Sequence, residues 1–375
     1  MRVLITGGAG FIGSNLALAL LRDGHEVTVL DSLSAQIHGE KPRESALFKS
    51  IEGRVAFHQG SVTDESAWLE VLDGQEAIVH LAAETGTGQS MYEIKRYSDI
   101  NVGGTALMLN LLASRRGSVR KVVVASSRAL YGEGKYRLGD DFVYPRARKA
   151  QDMAAGRFEL YSDAGVPLEV VATDEASMIH PSSVYGITKQ TQEQLVMTVC
   201  AALGIPAAAL RYQNVYGPGQ SLSNPYTGIL SIFSTRILHG KPISVFEDGL
   251  ESRDFVYIDD VIQATTKAML SPAADGHVFG IGSGTPTTVL DAARALRSAY
   301  RRDVQIQVTG AYRLGDIRHN FADLKKARER LGYAPSVDFA TGIGHFVEWV
   351  LTQPVQRDEY DRSMRELHDK GLMHG

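Results

Sequence analysis

Cysteine is nearly missing from this chain: Cys200 stands alone among 375 residues. A single thiol excludes an internal disulfide framework and a zinc site built on clustered cysteines, and it fits a reducing compartment. No uncharged apolar stretch approaches the roughly 20 residues that cross a bilayer. The opening run, Met1-Arg2-Val3-Leu4-Ile5-Thr6, enters a strand pattern directly, without the apolar core and small-residue cleavage site of a secretory leader. Cytoplasmic residence without a membrane partner is the expectation. Charge of one sign is not in surplus either. Lys+Arg 39 against Asp+Glu 43 leaves a net charge of -4, which argues against a nucleic-acid partner held by bulk positive charge and leaves room for a local basic pocket for phosphates. Internal repeats and low-complexity tracts are absent.

What is present is ordinary globular material, 44% hydrophobic and 22% charged, with length for two or three domains at roughly 150 residues each. Apolar runs at Val3–Thr6, Glu26–Asp31, Val55–Gln59, Ala77–Ala82 and Lys121–Ser127 alternate with helical patterns at Ser14–Arg22, Glu65–Leu72 and Tyr92 to about Arg115. Strands separated by helices of this length require crossovers and a parallel sheet, so a doubly wound α/β fold is expected. The rhythm breaks over 133–180, a long excursion with basic residues at Arg137, Arg146, Arg148 and Lys149. It returns with a helix from about Val184 to Leu203 and a strand at Ala207–Tyr212. Loop-rich text follows Gly217, with helices expected at Thr288–Tyr300, Leu324–Leu331 and Ala340–Thr352 and a strand at Val304–Thr309. The stretch Arg357–Lys370, dense in charges of both signs, reads as a solvated helix.

Gly7, Gly10 and Gly13 lie in Thr6-Gly7-Gly8-Ala9-Gly10-Phe11-Ile12-Gly13, directly after the first strand and opening a helix. Gly7 permits a tight turn, Gly10 lets the backbone approach a pyrophosphate, and Gly13 lets helix and strand lie close. The helix amino terminus offers unpaired N–H groups to the anion. Asp31 ends the second strand 18 residues after Gly13, where a carboxylate accepts both ribose hydroxyls and repels a 2′-phosphate. NAD is therefore the expected cofactor. Residues 1–216 read as a Rossmann-type NAD-binding domain carrying the 133–180 excursion. Residues 217–375 read as a smaller α/β substrate-binding domain, with 252–270 returning to the first.

The Gly-x-x-Gly-x-x-Gly spacing resembles the extended short-chain dehydrogenase/reductases. So do His80-Leu81-Ala82-Ala83, Asn101-Val102, Ser126-Ser127 and Tyr185-Gly186-Ile187-Thr188-Lys189, and the resemblance covers nearly the whole chain. It implies cofactor contacts from Phe11, Ile12, Leu81, Ala82, Ala83, Asn101 and Tyr212, and from Ser61-Val62, where the family usually has an Asp near the adenine. Tyr185 and Lys189, four apart in one helix, share a face. A tyrosine is a weak base near neutrality, but an adjacent ammonium and the positive charge of oxidised nicotinamide favour its phenolate. Tyr185 is then suited to remove a sugar hydroxyl proton as hydride leaves the same carbon, with Ser127, which matches the family's catalytic Ser/Thr, holding that oxygen. Ser126 is expected to be structural or a cofactor contact. Arg128 and Ala129 stand where related 4,6-dehydratases carry an acidic pair and uronate decarboxylases a glutamate, which leaves simple redox at one carbon.

Leu210-Arg211-Tyr212-Gln213-Asn214-Val215-Tyr216-Gly217-Pro218 resembles a signature of sugar-nucleotide epimerases, with Gln213 in place of Phe. The likeness implies Tyr212 near the nicotinamide and Asn214 near the substrate phosphates. Arg253, in Arg253-Asp254-Phe255-Val256, and Arg313, in Arg313-Leu314-Gly315-Asp316, match phosphate-binding arginines, and guanidinium forks suit a diphosphate. At finer resolution the chain resembles the dTDP-L-rhamnose 4-epimerases. The segments that carry this are 84–93, 131–134, 224–228, 246–249 and 315–319. Thr87 and Gln89 then lie in a loop that reads sugar hydroxyls. Many such relatives carry a Cys-x-x-Cys in the excursion, where this chain has Gly156-Arg157-Phe158-Glu159-Leu160. The implied activity is 4-epimerisation of a nucleotide-diphosphate sugar by a homodimer. A UDP-hexose or UDP-uronate 4-epimerase, a 2-epimerase and a non-catalytic NAD-binding regulator stay open. His80, His180 and His319 lack metal-ligand spacing and no metal is expected. The basic residues between Arg137 and Lys149 are expected to help close the pocket.

Overall fold

The computed structural model describes residues 1–222, 224, 226 and 228–375; Pro225 and Thr227 of the 224–228 segment lie outside the described residues. Seven parallel strands form the central sheet: β1 (Arg2–Thr6), β2 (Glu26–Asp31), β3 (Ala56–Gln59), β4 (Ala77–His80), β5 (Lys121–Ser127), β6 (Ala207–Tyr212) and β7 (His277–Ile281). Their order is β7-β6-β5-β4-β1-β2-β3. The strands read as continuous apolar runs because helices cover both faces; every residue of β5 and of β6 is buried. Along β5 the side chains alternate between two cores. Val123 and Ala125 face α1 (Phe11–Arg22) and α5 (Ile258–Leu270) through Leu16, Leu20, Val261 and Ala264. Val122 and Val124 face α2 (Glu65–Val71), α3 (Gly104–Ser114) and α4 (Val184–Ala202) through Trp68, Met108, Leu112, Val196 and Cys200.

The strand order reverses between β1 and β4, which pair in parallel with Thr6 opposite His80. At such a switch the flanking loops diverge and leave a crevice beyond the carboxyl ends of the strands. Ser127 at the end of β5 lies opposite Tyr212 at the end of β6, so the crevice collects the last residue of each strand.

The helix expected from Tyr92 to Arg115 is interrupted. A turn at Ile94–Tyr97 leads into a π turn, Ser98–Gly103, before α3 begins. The wider turn rotates the buried Asn101 toward the loop after β4. There its amide oxygen accepts the Glu84 N–H at 2.7 Å, and its nitrogen donates to the Glu84 carbonyl and the Thr188 hydroxyl. Such turns recur at functional sites.

The excursion after β5 contains a three-stranded antiparallel sheet, Asp141–Val143, Tyr136–Leu138 and Glu169–Val170. A second sheet centres on Ser252–Tyr257, which pairs with Asn214–Tyr216, Pro286–Thr288 and His319–Asn320. The chain then returns to the large sheet over α5 and β7. The charged carboxyl-terminal stretch is helical over Tyr360–Asp369, but Ser363 and Leu367 are buried. It is a docked helix rather than a solvated one, followed by Met373–His374 pairing with Tyr312–Arg313. No helix among the described residues is long and apolar enough to cross a membrane.

Candidate active site

One cavity of about 580 Å³ runs along the carboxyl edge of the sheet. Of the cofactor, catalytic and substrate residues expected from the sequence, all but Asn101 and Gln89 line it. Asn101 stands behind the wall and fixes the Glu84 loop. Gln89 is buried in a polar network with Gln36, Glu93 and Tyr97.

The glycine turn fits a dinucleotide. Gly7 has φ 67, and a Cβ there would lie 2.8 Å from the Ala82 nitrogen, while one on Gly13 would lie 2.3 Å from the Gly7 carbonyl oxygen. Only glycine allows β1, β4 and α1 to approach so closely. No side chain caps α1 at Gly10, so the first-turn N–H groups are left for an anion. Asp31 is oriented by the N–H groups of Ala9 (3.0 Å) and Leu33 (2.8 Å). Ser61 and Val62, expected near the adenine, line the cavity, and the Ser61 hydroxyl meets that of Thr63 at 2.8 Å. These residues suit NAD: a pyrophosphate cradle, a ribose carboxylate and a wall of Leu81, Ala82 and Ala83.

The residues expected to be catalytic come from β5 and α4. Ser183 caps α4 by accepting the Gly186 N–H at 3.1 Å. The free N–H of Tyr185 goes to the Ser90 hydroxyl at 3.0 Å, and Ser90 donates to the Thr87 carbonyl at 2.7 Å, tying the sugar-side loop to the catalytic helix. Ser127 accepts the Ala129 N–H at 3.1 Å, which leaves its proton for the Tyr185 oxygen. Burial raises the Tyr185 phenol above its ordinary value; the Ser127 hydrogen bond and the Arg128 charge pull it back. Burial also pushes Lys189 down to about 7, and its Nζ donates to the Ala125 carbonyl at 2.9 Å. Burial thus opposes the charged form of both Tyr185 and Lys189, and positive charge brought to the site would favour the phenolate. His80, between the hydroxyls of Thr6 and Thr105, is held neutral by burial and by Lys189, at about 3.

Asn214, Arg253 and Arg313, expected to meet the substrate, line the cavity, with the Asn214 amide oxygen buried and unpartnered. Gln213, which departs from the family signature, donates to Asn320 at 3.0 Å, and Asn320 donates to the Thr173 hydroxyl of the excursion. The residue change thus binds the sheet to the excursion. Sequence reasoning missed the cavity contacts of Phe246, Glu247, Glu251, Asp316, Tyr360 and Met364. The segments holding Phe246 and Asp316 were visible as motifs; nothing local marks Tyr360 or Met364.

The excursion acts from behind the cavity. Arg137 pairs with the exposed Glu169 at 2.7 Å, away from any substrate. Arg148 is buried between Glu133 (3.3 Å) and Glu247 (2.8 Å). Fully buried Arg318 binds Glu247 (2.9 Å), Asp248 (2.7 Å) and Glu159 (2.5 Å). Glu133, Arg148 and Glu159 thereby grip two loops that line the cavity, 246–251 and 315–318. Within Gly156-Arg157-Phe158-Glu159-Leu160, Phe158 packs with Met153 and Tyr312 while Glu159 pairs with Arg318.

A sheet wound in this order, with a dinucleotide turn and a Ser-Tyr-Lys set at its carboxyl edge, defines an NAD-dependent enzyme of the short-chain type. A profile of the NAD dependent epimerase/dehydratase family matches residues 3–282, and the chain belongs to that family. It is 39% identical over 355 residues to the dTDP-L-rhamnose 4-epimerase of Burkholderia thailandensis, covering 94% of this chain and 95% of that one. Among solved structures it resembles UDP-glucose 4-epimerase of Thermotoga maritima with UDP-glucose, with TM-score 0.75, 30% identity and coverage of 94% and 99%. It also resembles DesIV, a dTDP-glucose 4,6-dehydratase of Streptomyces venezuelae with NAD and TYD bound, with TM-score 0.75, 26% identity and coverage of 94% and 97%. NAD is the cofactor of this family.

Proposed function

We propose that the chain is a nucleotide-sugar 4-epimerase interconverting dTDP-L-rhamnose and dTDP-6-deoxy-L-talose. The observation that carries the reaction type is the pairing of Ser127 with Tyr185 and the presence of Arg128 and Ala129, rather than carboxylates, directly after it. One oxygen is gripped and deprotonated, and no acid or base follows Ser127 to eliminate water or release carbon dioxide. The substrate reading is supported by the 39% identity to an enzyme of that name.

Bound NAD supplies the hydride acceptor and later the donor. Ser127 and Tyr185 hold the C4 hydroxyl oxygen, and Tyr185 takes its proton as the 4-keto sugar forms. Arg253 and Arg313 hold the diphosphate while the sugar turns. Tyr185 then returns the proton to the same oxygen, now on the opposite face. A UDP-hexose or UDP-uronate substrate is the second reading, supported by the likeness to a UDP-glucose 4-epimerase at 30% identity.

Proton NMR of the purified protein, without added NAD, decides between them. A 4-epimer from dTDP-L-rhamnose but not from UDP-glucose or UDP-glucuronate is expected. Turnover of a UDP sugar alone would keep the mechanism and replace the substrate. No turnover of any, with NAD bound, would overturn the 4-epimerase reading for these sugars.

A further inference from the structure

Three guanidinium groups line the substrate side of the cavity: Arg128, Arg253 and Arg313. Arg313 is engaged by Asp316 through two hydrogen bonds of 3.0 and 2.9 Å. Arg253 donates to the carbonyls of Ser252 (2.8 Å), Arg318 (3.0 Å) and Ile317 (2.8 Å). Arg128 differs. Among the described residues its side chain makes no hydrogen bond and no ion pair.

Its surroundings make that vacancy costly. Burial lowers the Arg128 pKa to about 10, the next cause is the like charge of Arg253, and Asp316, Tyr185 and Glu133 oppose it. The nearby carboxylates are already committed, Asp316 to Arg313 and Glu133 to Arg148. A half-buried cation without a partner, beside a second cation and facing a cavity, is stabilised by an anion placed between the two.

We propose that Arg128 and Arg253 form an oxyanion site on the Tyr185 side of the cavity, and that Arg128 contacts the substrate directly. The inference rests on the nucleotide-sugar reading above. The oxyanion is a phosphate of the diphosphate bridge or a carboxylate on the sugar. A guanidinium binds either bidentately, and its planar fork makes lysine a poor replacement.

Calorimetric titration of the NAD-loaded wild type and the Arg128→Gln and Arg128→Lys variants with dTDP, dTDP-L-rhamnose and UDP-glucuronate tests this. A phosphate contact weakens dTDP and dTDP-L-rhamnose about tenfold or more in Arg128→Gln, with partial recovery in Arg128→Lys. A carboxylate contact weakens UDP-glucuronate alone. Affinities within twofold of wild type for every ligand would overturn the site. Should the variants fail to fold, phenylglyoxal labelling of unmodified holoenzyme replaces them. Pyrophosphate or UDP-glucuronate is expected to protect Arg128, and equal labelling with and without both would overturn the site. A wild type that binds none of the nucleotides would overturn the cavity reading itself, and the site with it.

Discussion

Tyr185 illustrates how burial and charge compete at a single oxygen. Burial raises its pKa and lowers that of Lys189, while the Ser127 hydrogen bond and the Arg128 charge favour the phenolate. Replacing Tyr185 with Phe is expected to lower kcat by about 10²–10⁴-fold while the purified protein retains its NAD, read from absorbance after denaturation. Ser127→Ala removes one hydrogen bond to a developing anion, and a loss of roughly 10–100-fold in kcat is expected. Equal loss of NAD and activity in either variant would instead mean a structural role. These residues were legible in the sequence because each lies in a short local motif whose strand-turn-helix context fixes its position. Arg128 was legible only as the absence of an acid. Its unpartnered state depends on where Arg253, Glu133 and Asp316 go, which no local pattern records.

At the scale of elements, the β1–α1 turn has no slack. Gly13→Ala would drive a Cβ to 2.3 Å from the Gly7 oxygen and 2.6 Å from the Gly8 Cα, against backbone that cannot yield. Loss of copurified NAD and destabilisation by about 1–3 kcal/mol are expected, read by absorbance and denaturant melts. The excursion separates buried from exposed charge within one segment. Arg148→Met takes the ion pair from buried Glu133, leaving it the Arg318 N–H at 2.6 Å, and is expected to cost about 3 kcal/mol. Arg137→Ala, which breaks an exposed pair with Glu169, is expected to leave Tm unchanged. The strands and helices of the sheet were legible from apolar periodicity. The π turn at Ser98–Gly103 was not, because Ile100, Leu107 and Leu111 keep helical spacing on either side of it, and the turn exists to aim one buried amide. The excursion showed no period because ion pairs to distant loops hold it in place.

Across the whole molecule, the carboxyl ends of the sheet strands supply one side of the cavity, while loops from the second half supply the other and Glu159 ties the excursion to that half. The hydrogen bond from His319, reinforced by Arg318, holds the Glu159 carboxyl down at about 2, against an ordinary 4.5. A depressed carboxylate stabilises the folded chain fully above its unfolded value, and that contribution disappears as pH falls from 4.5 toward 2. Glu159→Gln should therefore melt below wild type at pH 6, with the gap closing as the pH is lowered through that window. A constant gap would mean that Glu159 acts through packing alone.

The carboxyl-terminal helix and its strand carry a consequence for inheritance. Tyr360 and Met364 line the cavity, and Met373–His374 pairs with the strand that holds Arg313. A premature stop codon near residue 355 would spare every glycine of the cofactor turn and remove these residues. The resulting polypeptide would keep the glycine turn but strand the buried Arg236, whose partners Asp358 and Asp361 lie past the break, so turnover and stability are expected to fall together.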